Sequence, residues 1–220
     1  MDEFYDNAVQ KDVHRSLLQL SIEHRSRRIN ELINTLLEND IPVNFMFQLF
    51  PEPSQATSPK KQSAFELLIA SLSAGDLSPE EKNLIYRELV KLKRKKSQLS
   101  RMLIREFKEV GEDESTPFAW SCADYLYQLR SPEYLDDYIA LAGNKEYGVN
   151  RQMLFLLLGS LQNSVSIPVI LDNLSDPDVN GHALSALSKF DDLSFDKYFN
   201  PFLDDSRAWV RRIARKRLSK

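Results

Sequence analysis

The sequence predicts an all-α chain whose C-terminal half is a right-handed α-solenoid of antiparallel helix pairs. Three observations carry this. Apolar residues recur mostly at three- and four-residue steps, which places them on one face of an α-helix. Only 6 glycines occur in 220 residues, whereas strand-rich folds use glycine at turns and bulges. From Pro117 onward the apolar pattern repeats with a fixed period.

The elements follow in order. Residues 1–50 read as an N-terminal helical segment. Val9, Val13, Leu17, Leu20 and Ile22, then Ile29, Leu32, Ile33, Leu36 and Leu37, predict helix over about 6–38, with a shift of face near Ser21–His24. Pro42 ends it, because proline disfavours a helical residue before it. The apolar stretch Pro42–Phe50 fits a docking helix or an extended strap equally well. Residues 51–62, rich in proline and serine, read as a loop or linker.

Residues 63–115 form the next helical segment. Phe65, Leu68, Ile69 and Leu72 give a short helix over Ser63–Ser73, stopped by Gly75. Ser78, Pro79, Glu80 and Glu81 then open a helix. Serine caps, proline suits the first turn, and the glutamates face the positive end of the macrodipole. Ile85, Leu89, Leu92, Leu99, Leu103, Phe107 and Val110 carry that helix on to about Val110, roughly 45 Å at about 1.5 Å per residue. Lys96 interrupts the row, which leaves a break near Lys96-Ser97 open.

Residues 116–220 hold the repeat. Phe118, Cys122 and Leu126; Val149, Met153 and Leu157; Val179, Ala183 and Leu187; and Val210, Ala214 and Leu218 each follow four-and-four spacing. The sets recur every 30 or 31 residues, the mark of a stack of helix hairpins, and their columns are expected to be core. Partner helices carry Tyr134, Leu135, Tyr138 and Ile139, then Ile167, Ile170 and Leu174, then Tyr198, Phe199, Phe202 and Leu203. Turns at Gly143–Tyr147, Ser175–Asp178 and Asp204–Arg207 supply Asp, Ser and Pro to cap the second helix of each pair.

Two stretches resemble the HEAT and HEAT-like repeats. One runs from Leu171 through Asp176, Pro177, Asp178 and Val179 to Ala183 and Leu187. The other runs from Leu203 through Asp204 and Val210-Arg211 to Ala214 and Leu218. The family closes its turn with aspartate and opens the second helix with Val-Arg. Val210-Arg211 matches, Val179-Asn180 and Val149-Asn150 keep only the valine, and Phe118-Ala119 keeps neither. The resemblance implies a binding scaffold, with residues 1–115 continuing or capping the stack. It also implies a ladder contact from Arg211 to a turn aspartate such as Asp176 or Asp204.

Composition excludes several classes. With 42% apolar and 28% charged residues the chain has a globular balance, and a net charge of −3 argues against a general polyanion coat. The single cysteine, Cys122, permits no internal disulfide and suits a reducing cytoplasm. The opening residues do not read as a signal peptide, and no apolar run approaches membrane-span length. His14, His24 and His182 lie on separate segments without metal-ligand spacing, Cys122 occupies a core column, and no catalytic constellation or cofactor loop reads out. The acidic pairs at the turns read as helix caps.

The strongest surface signal is a basic stripe. Arg87, Lys91, Arg94, Arg101, Arg105 and Lys108 follow four-three-four-three steps with Gln98 filling the gap, so on one helix they share a face. That face is either solvated or an anion-binding strip. A second basic cluster, Arg207, Arg211, Arg212, Arg215, Lys216, Arg217 and Lys220, closes the chain. Candidate contacts on the repeat helices are Gln152, Asn180, His182, Lys189 and Arg212. Trp120 and Trp209 beside the core columns either pack between repeats or anchor a partner.

The expected function is a non-catalytic protein-binding module: an adaptor, regulator or inhibitor of a partner protein. The alternative is a nucleic-acid-binding protein, because the alkylpurine DNA glycosylases are similar in size and HEAT-like build. No residue here matches their active site.

Overall fold

The computed structural model describes residues 27–44, 47–52, 55–75, 77–112 and 117–219. The expectations for residues 6–26, His14, His24 and Lys220 fall outside them. Ordered structure among the described residues is helical apart from one isolated antiparallel bridge, Val43 to Leu49. No helix among them is long and apolar enough to cross a membrane. The chain divides into two compact units, Met1–Arg94 and Lys95–Lys220.

The first unit contains α1 (Arg27–Glu38), α2 (Ser58–Ser73) and α3 (Pro79–Lys91). Helix α1 buries Ile29, Leu32 and Leu36 at helical spacing. Helix α2 begins at Ser58, earlier than Ser63, because Pro59 fits its first turn and Lys60 and Lys61 continue it. The expected loop over 51–62 is shortened accordingly. The described residues of the segment after Pro42, 43–44 and 47–50, are not helical. Asn44 folds it back on itself: its side chain accepts the Gln48 N–H at 3.0 Å, and its carbonyl accepts the Phe47 N–H at 3.0 Å. Helix α3 opens with a capping box. Ser78 Oγ accepts the Glu81 N–H, and the Glu81 carboxylate accepts the Ser78 N–H at 2.6 Å.

The single helix expected from Pro79 to Val110 is instead two. Helix α3 ends at Lys91 and α4 spans Lys96–Val110. Between them Lys93 and Lys95 hold left-handed backbone, with φ of 54° and 43°. Five of the six residues Lys91–Lys96 are cations, and a continuous helix would set like charges one turn apart. The open break near Lys96-Ser97 therefore falls just before Lys96.

The second unit continues with α5 (Phe118–Leu129), α6 (Leu135–Gly143), α7 (Gln152–Leu161), α8 (Ile167–Asp172), α9 (Asn180–Leu187) and α10 (Ala208–Leu218). Helices α4, α5, α7, α9 and α10 neighbour one another in that order. Helices α6 and α8 pack beside α7 and α9 and against each other. The partner helix expected before α10 is 3-10 backbone over Leu193–Tyr198 and Asn200–Phe202. Helix α4 belongs to this unit by its packing on α5, although its sequence reads with the segment 63–115.

The repeat columns are the core. Phe118, Cys122, Leu126, Leu157, Val179, Ala183, Leu187, Val210 and Ala214 are 0–1% exposed, and Met153 is also buried. Leu218 is only half-buried, and Val149 departs from its column. It lies in the 3-10 turn Lys145–Arg151 ahead of α7 and is 37% exposed. Small residues allow close approach: a Cβ on Gly159 would stand 2.6 Å from the Ala186 Cα, so α7 and α9 meet there backbone to backbone. The turns use one device five times. Asn144, Asn163, Asp176, Asp192 and Asp205 each accept, through the side chain, the N–H two residues on.

Candidate functional site

The residues of the basic stripe are divided between the two units. Arg87, Lys91 and Arg94 belong to the first unit, and Arg101, Arg105 and Lys108 to the second. The first three are engaged. Glu88, 1% exposed, accepts from Arg87 Nε at 2.9 Å and Lys91 Nζ at 2.8 Å through Oε1, and from the Leu49 N–H at 3.1 Å through Oε2. Arg87 also donates to the Phe47 carbonyl at 2.9 Å, so these cations tie the segment around Leu49 onto α3. Arg94 donates to Gln62 Oε1 at 3.0 Å.

The second three keep the spacing the sequence gives them. Leu99, Leu103 and Phe107 face inward on α4, while Arg101, Arg105 and Lys108 are exposed. They border an open cleft of about 400 Å³ completed by Ile104, Glu109, Tyr134 and Asp137. Tyr134 was expected among partner-helix core residues, yet its hydroxyl lies 3.1 Å from Ser97 Oγ. Hydrogen bonds from Ser97 and then Arg101 hold its phenol below the ordinary tyrosine range. Lys108 pairs with Asp137 at 3.0 Å. Arg105 pairs with no carboxylate among the described residues.

The other cationic surface lies on α10. Ala208, Arg211, Arg212, Arg215, Lys216 and Ser219 line an open cleft of about 470 Å³. Arg211 does not make the ladder contact the family resemblance implied. It donates to the carbonyls of Asp205 at 2.6 Å and Ser206 at 2.8 Å. Arg212, Arg215 and Lys216 are exposed and pair with no carboxylate among the described residues. Two other members of the C-terminal basic cluster are structural. Arg217, 5% exposed, binds Asp196 at 2.7 Å and the carbonyls of Phe190 and Asp192 at 2.8 and 2.7 Å. Arg207 forks onto Asp205 and reaches Asn180 Oδ1 at 2.7 Å. That pairing, led by the Arg207 hydrogen bond, holds the Asp205 carboxyl below the ordinary carboxylate range.

The remaining candidates are partly occupied. Asn180 accepts from Arg207, and Gln152 donates to the Asp178 carbonyl at 2.8 Å. His182 packs on Trp209 with ring centres 5.3 Å apart. Burial, then the nearby Arg207, pushes its imidazole down to about 4, so it is neutral at pH 7. Trp209 also covers Gly181, where a Cβ would meet the ring at 2.5 Å, and remains 39% exposed. Trp120 is 38% exposed. Lys189 is exposed, and its carbonyl accepts from Gln162 at 2.7 Å.

A buried arginine that the sequence reading did not single out is Arg151, next to Asn150. It is fully buried. It donates to Gly148 O at 3.1 Å, to Ala142 O and Asn173 Oδ1 at 3.0 Å, and to Asp176 Oδ2 at 2.7 Å. In the turn before α7, Gly148 adopts φ 45° and ψ −131°, a conformation open to glycine, and its carbonyl accepts from Arg151. Cys122 is buried as its column requires. No group of three or more His, Cys, Asp or Glu among the described residues is placed to hold a metal ion. Comparison with family models, with curated proteins and with solved structures finds no match to this chain.

Proposed function

We propose that this chain is a non-catalytic binding module of HEAT-like build. In this reading the helix pairs of the second unit form a right-handed α-solenoid, and its outward cations engage an anionic surface on a protein partner. The ordered row α4, α5, α7, α9, α10 supports the stacking. The observation that carries the binding role is the α10 face. Arg212, Arg215 and Lys216 stand together on one helix without carboxylate partners among the described residues, while Arg151, Arg207 and Arg217 are consumed inside the fold. Cations left outward by a fold that pairs so many others are available to a partner.

The test is capture of partners by the purified chain from an extract of its own source, with and without nuclease. The comparison is wild type against a variant carrying Arg212→Glu, Arg215→Glu and Lys216→Glu. A single stoichiometric protein that survives nuclease and is lost with the variant is the expected result. Loss of all partners on nuclease treatment would transfer the surface to nucleic acid. Equal capture by both proteins would remove α10 from the account.

A further inference from the structure

Helices α3 and α4 part where neither the end of one nor the start of the other carries the usual signals. Leu92 to Ser97 contains no glycine, proline or asparagine, and leucine, lysine and arginine favour helix. Helix α3 opens on a capping box, whereas α4 opens on Lys95, whose side chain makes no capping hydrogen bond. The first turn of α4 holds no acidic residue, and Lys95 and Lys96 set positive charge against the positive end of its macrodipole. Lys93 and Lys95 adopt left-handed backbone, which a lysine enters only at a cost. Buried Leu89, Leu92, Leu99 and Leu103 meanwhile keep the phase of one uninterrupted helix.

Charge is what opposes that helix. On a continuous helix Lys91 would stand one turn from Arg94 and Lys95, and Lys93 one turn from Lys96. Lys96 would also enter the apolar row between Leu92 and Leu99, whereas in the break it is exposed. Arg94 secures the break from α2, where Gln62 Oε1 accepts from its Nε at 3.0 Å. We infer that Lys91–Lys96 is a charge-gated helix switch: neutralising its cations lets α3 run on into α4, and restoring them parts the two. The repulsion it relies on reaches about 10 Å at 0.1 M salt and about 3 Å at 1 M. Lys96 is the principal gate, because among these cations it alone also lies in the apolar row. The amides of Ser97 and Gln98 report the state. In the first turn of α4 they have no helical acceptor, and the helical bonding resumes with the Leu99 N–H on the Lys95 carbonyl at 3.1 Å. In the joined helix they donate to the carbonyls of Lys93 and Arg94.

The test is nuclear magnetic resonance on the full chain in sodium chloride from about 0.05 M to about 1 M. It reads amide exchange at Ser97 and Gln98 and the amide–Hα couplings of Lys93 and Lys95, which separate positive from negative φ. Wild type at low salt should show positive φ at both lysines and rapid exchange at both amides. At the highest salt φ should turn negative and exchange should slow by about tenfold. Lys96→Leu should give the joined form already at low salt, by completing the apolar row. Lys96→Gln, which removes only the charge, should join at lower salt than wild type. Lys93→Gly with Lys95→Gly should hold the break at every salt concentration and melt no earlier than wild type at low salt, since glycine takes left-handed backbone freely but weakens a helix. Positive φ that persists in Lys96→Leu, or in wild type at the highest salt, would overturn the proposal by making the break permanent. Negative φ in wild type at low salt would overturn it as well, because no break would be there to close. So would the same salt response in Lys96→Gln as in wild type, or an earlier melt of the glycine variant at low salt.

Discussion

The α3 and α4 halves of the Arg87–Lys108 run are alike in sequence and opposite in fate. On α3, a buried carboxylate and the backbone around Phe47 absorb Arg87 and Lys91, and just beyond α3 Gln62 takes Arg94. On α4, only Lys108 finds an acid, and Arg105 faces outward without one among the described residues. The periodicity of basic residues therefore says which face they share. It does not say whether the fold has already used them. That depends on which acceptors stand beside them, such as Glu88 on α3 itself and the Phe47 carbonyl from a turn about 40 residues away. The same contrast recurs on the last helix, where Arg217 is spent on Asp196 and Arg212 is not.

The sharpest way to break the distinction is to remove a consumed cation. Arg151→Ala should destabilise the second unit by about 3–5 kcal/mol, because it strands the Asp176 carboxylate and three further acceptors around a buried vacancy. Chemical denaturation of wild type and variant measures this. Unchanged stability would show that the Arg151 pocket is not formed in solution. The acid side gives a second reading. Burial works against ionisation of Asp176, but the hydrogen bonds from Arg151 and from the Asp178 N–H outweigh it and hold the carboxyl below 3.8. A depressed carboxyl stabilises the fold above its unfolded value and ceases to do so as pH falls through the lower folded value. Wild type should therefore lose this contribution below about pH 4, and Arg151→Ala should have less of it to lose.

A smaller effect is expected in the first unit. Glu88→Ala should cost about 2–3 kcal/mol by leaving the buried Leu49 N–H without its acceptor and releasing Arg87 and Lys91. The lysine and arginine heads can turn to water, so the loss is less than for Arg151. Limited proteolysis around residues 47–50 measures it directly, with faster cleavage expected in the variant. Unaltered cleavage would mean that Glu88 does not hold that segment.

Much of the architecture was legible in the sequence because the second helices bury the same face at the same step. Phe118, Cys122 and Leu126, or Val179, Ala183 and Leu187, announce both helix and core. The break between α3 and α4 was hidden by phase. Leu92 and Leu99 are seven residues apart, about two turns, so the apolar row continues through two left-handed residues as though the helix were whole. The run of five cations in six residues was the available signal. Val149 misled because Gly148 turns the chain before α7 begins, which leaves Val149 partly exposed. The α4 cleft was half visible. Its arginines follow from spacing, whereas Tyr134 and Asp137 come from α6 and its leading turn, and no local pattern brings them to α4.

The least expected change is also the cleanest control on the comparison. Arg105→Ala and Arg215→Ala remove exposed guanidiniums that pair with no carboxylate among the described residues. Each should shift stability by less than about 0.5 kcal/mol, the ordinary range for a surface substitution. Alanine is the better helix former, and both sites lie inside helices, so a slight gain is as consistent as a slight loss. Thermal melts of the two variants beside Arg151→Ala measure the contrast within one unit. Arginines that are free for a partner must be dispensable to the fold. If Arg105→Ala instead fell by more than about 2 kcal/mol, a size typical of a lost buried contact, Arg105 would belong with Arg151 among the cations the fold consumes. The α4 cleft would then keep Arg101 as its single outward guanidinium among the described residues.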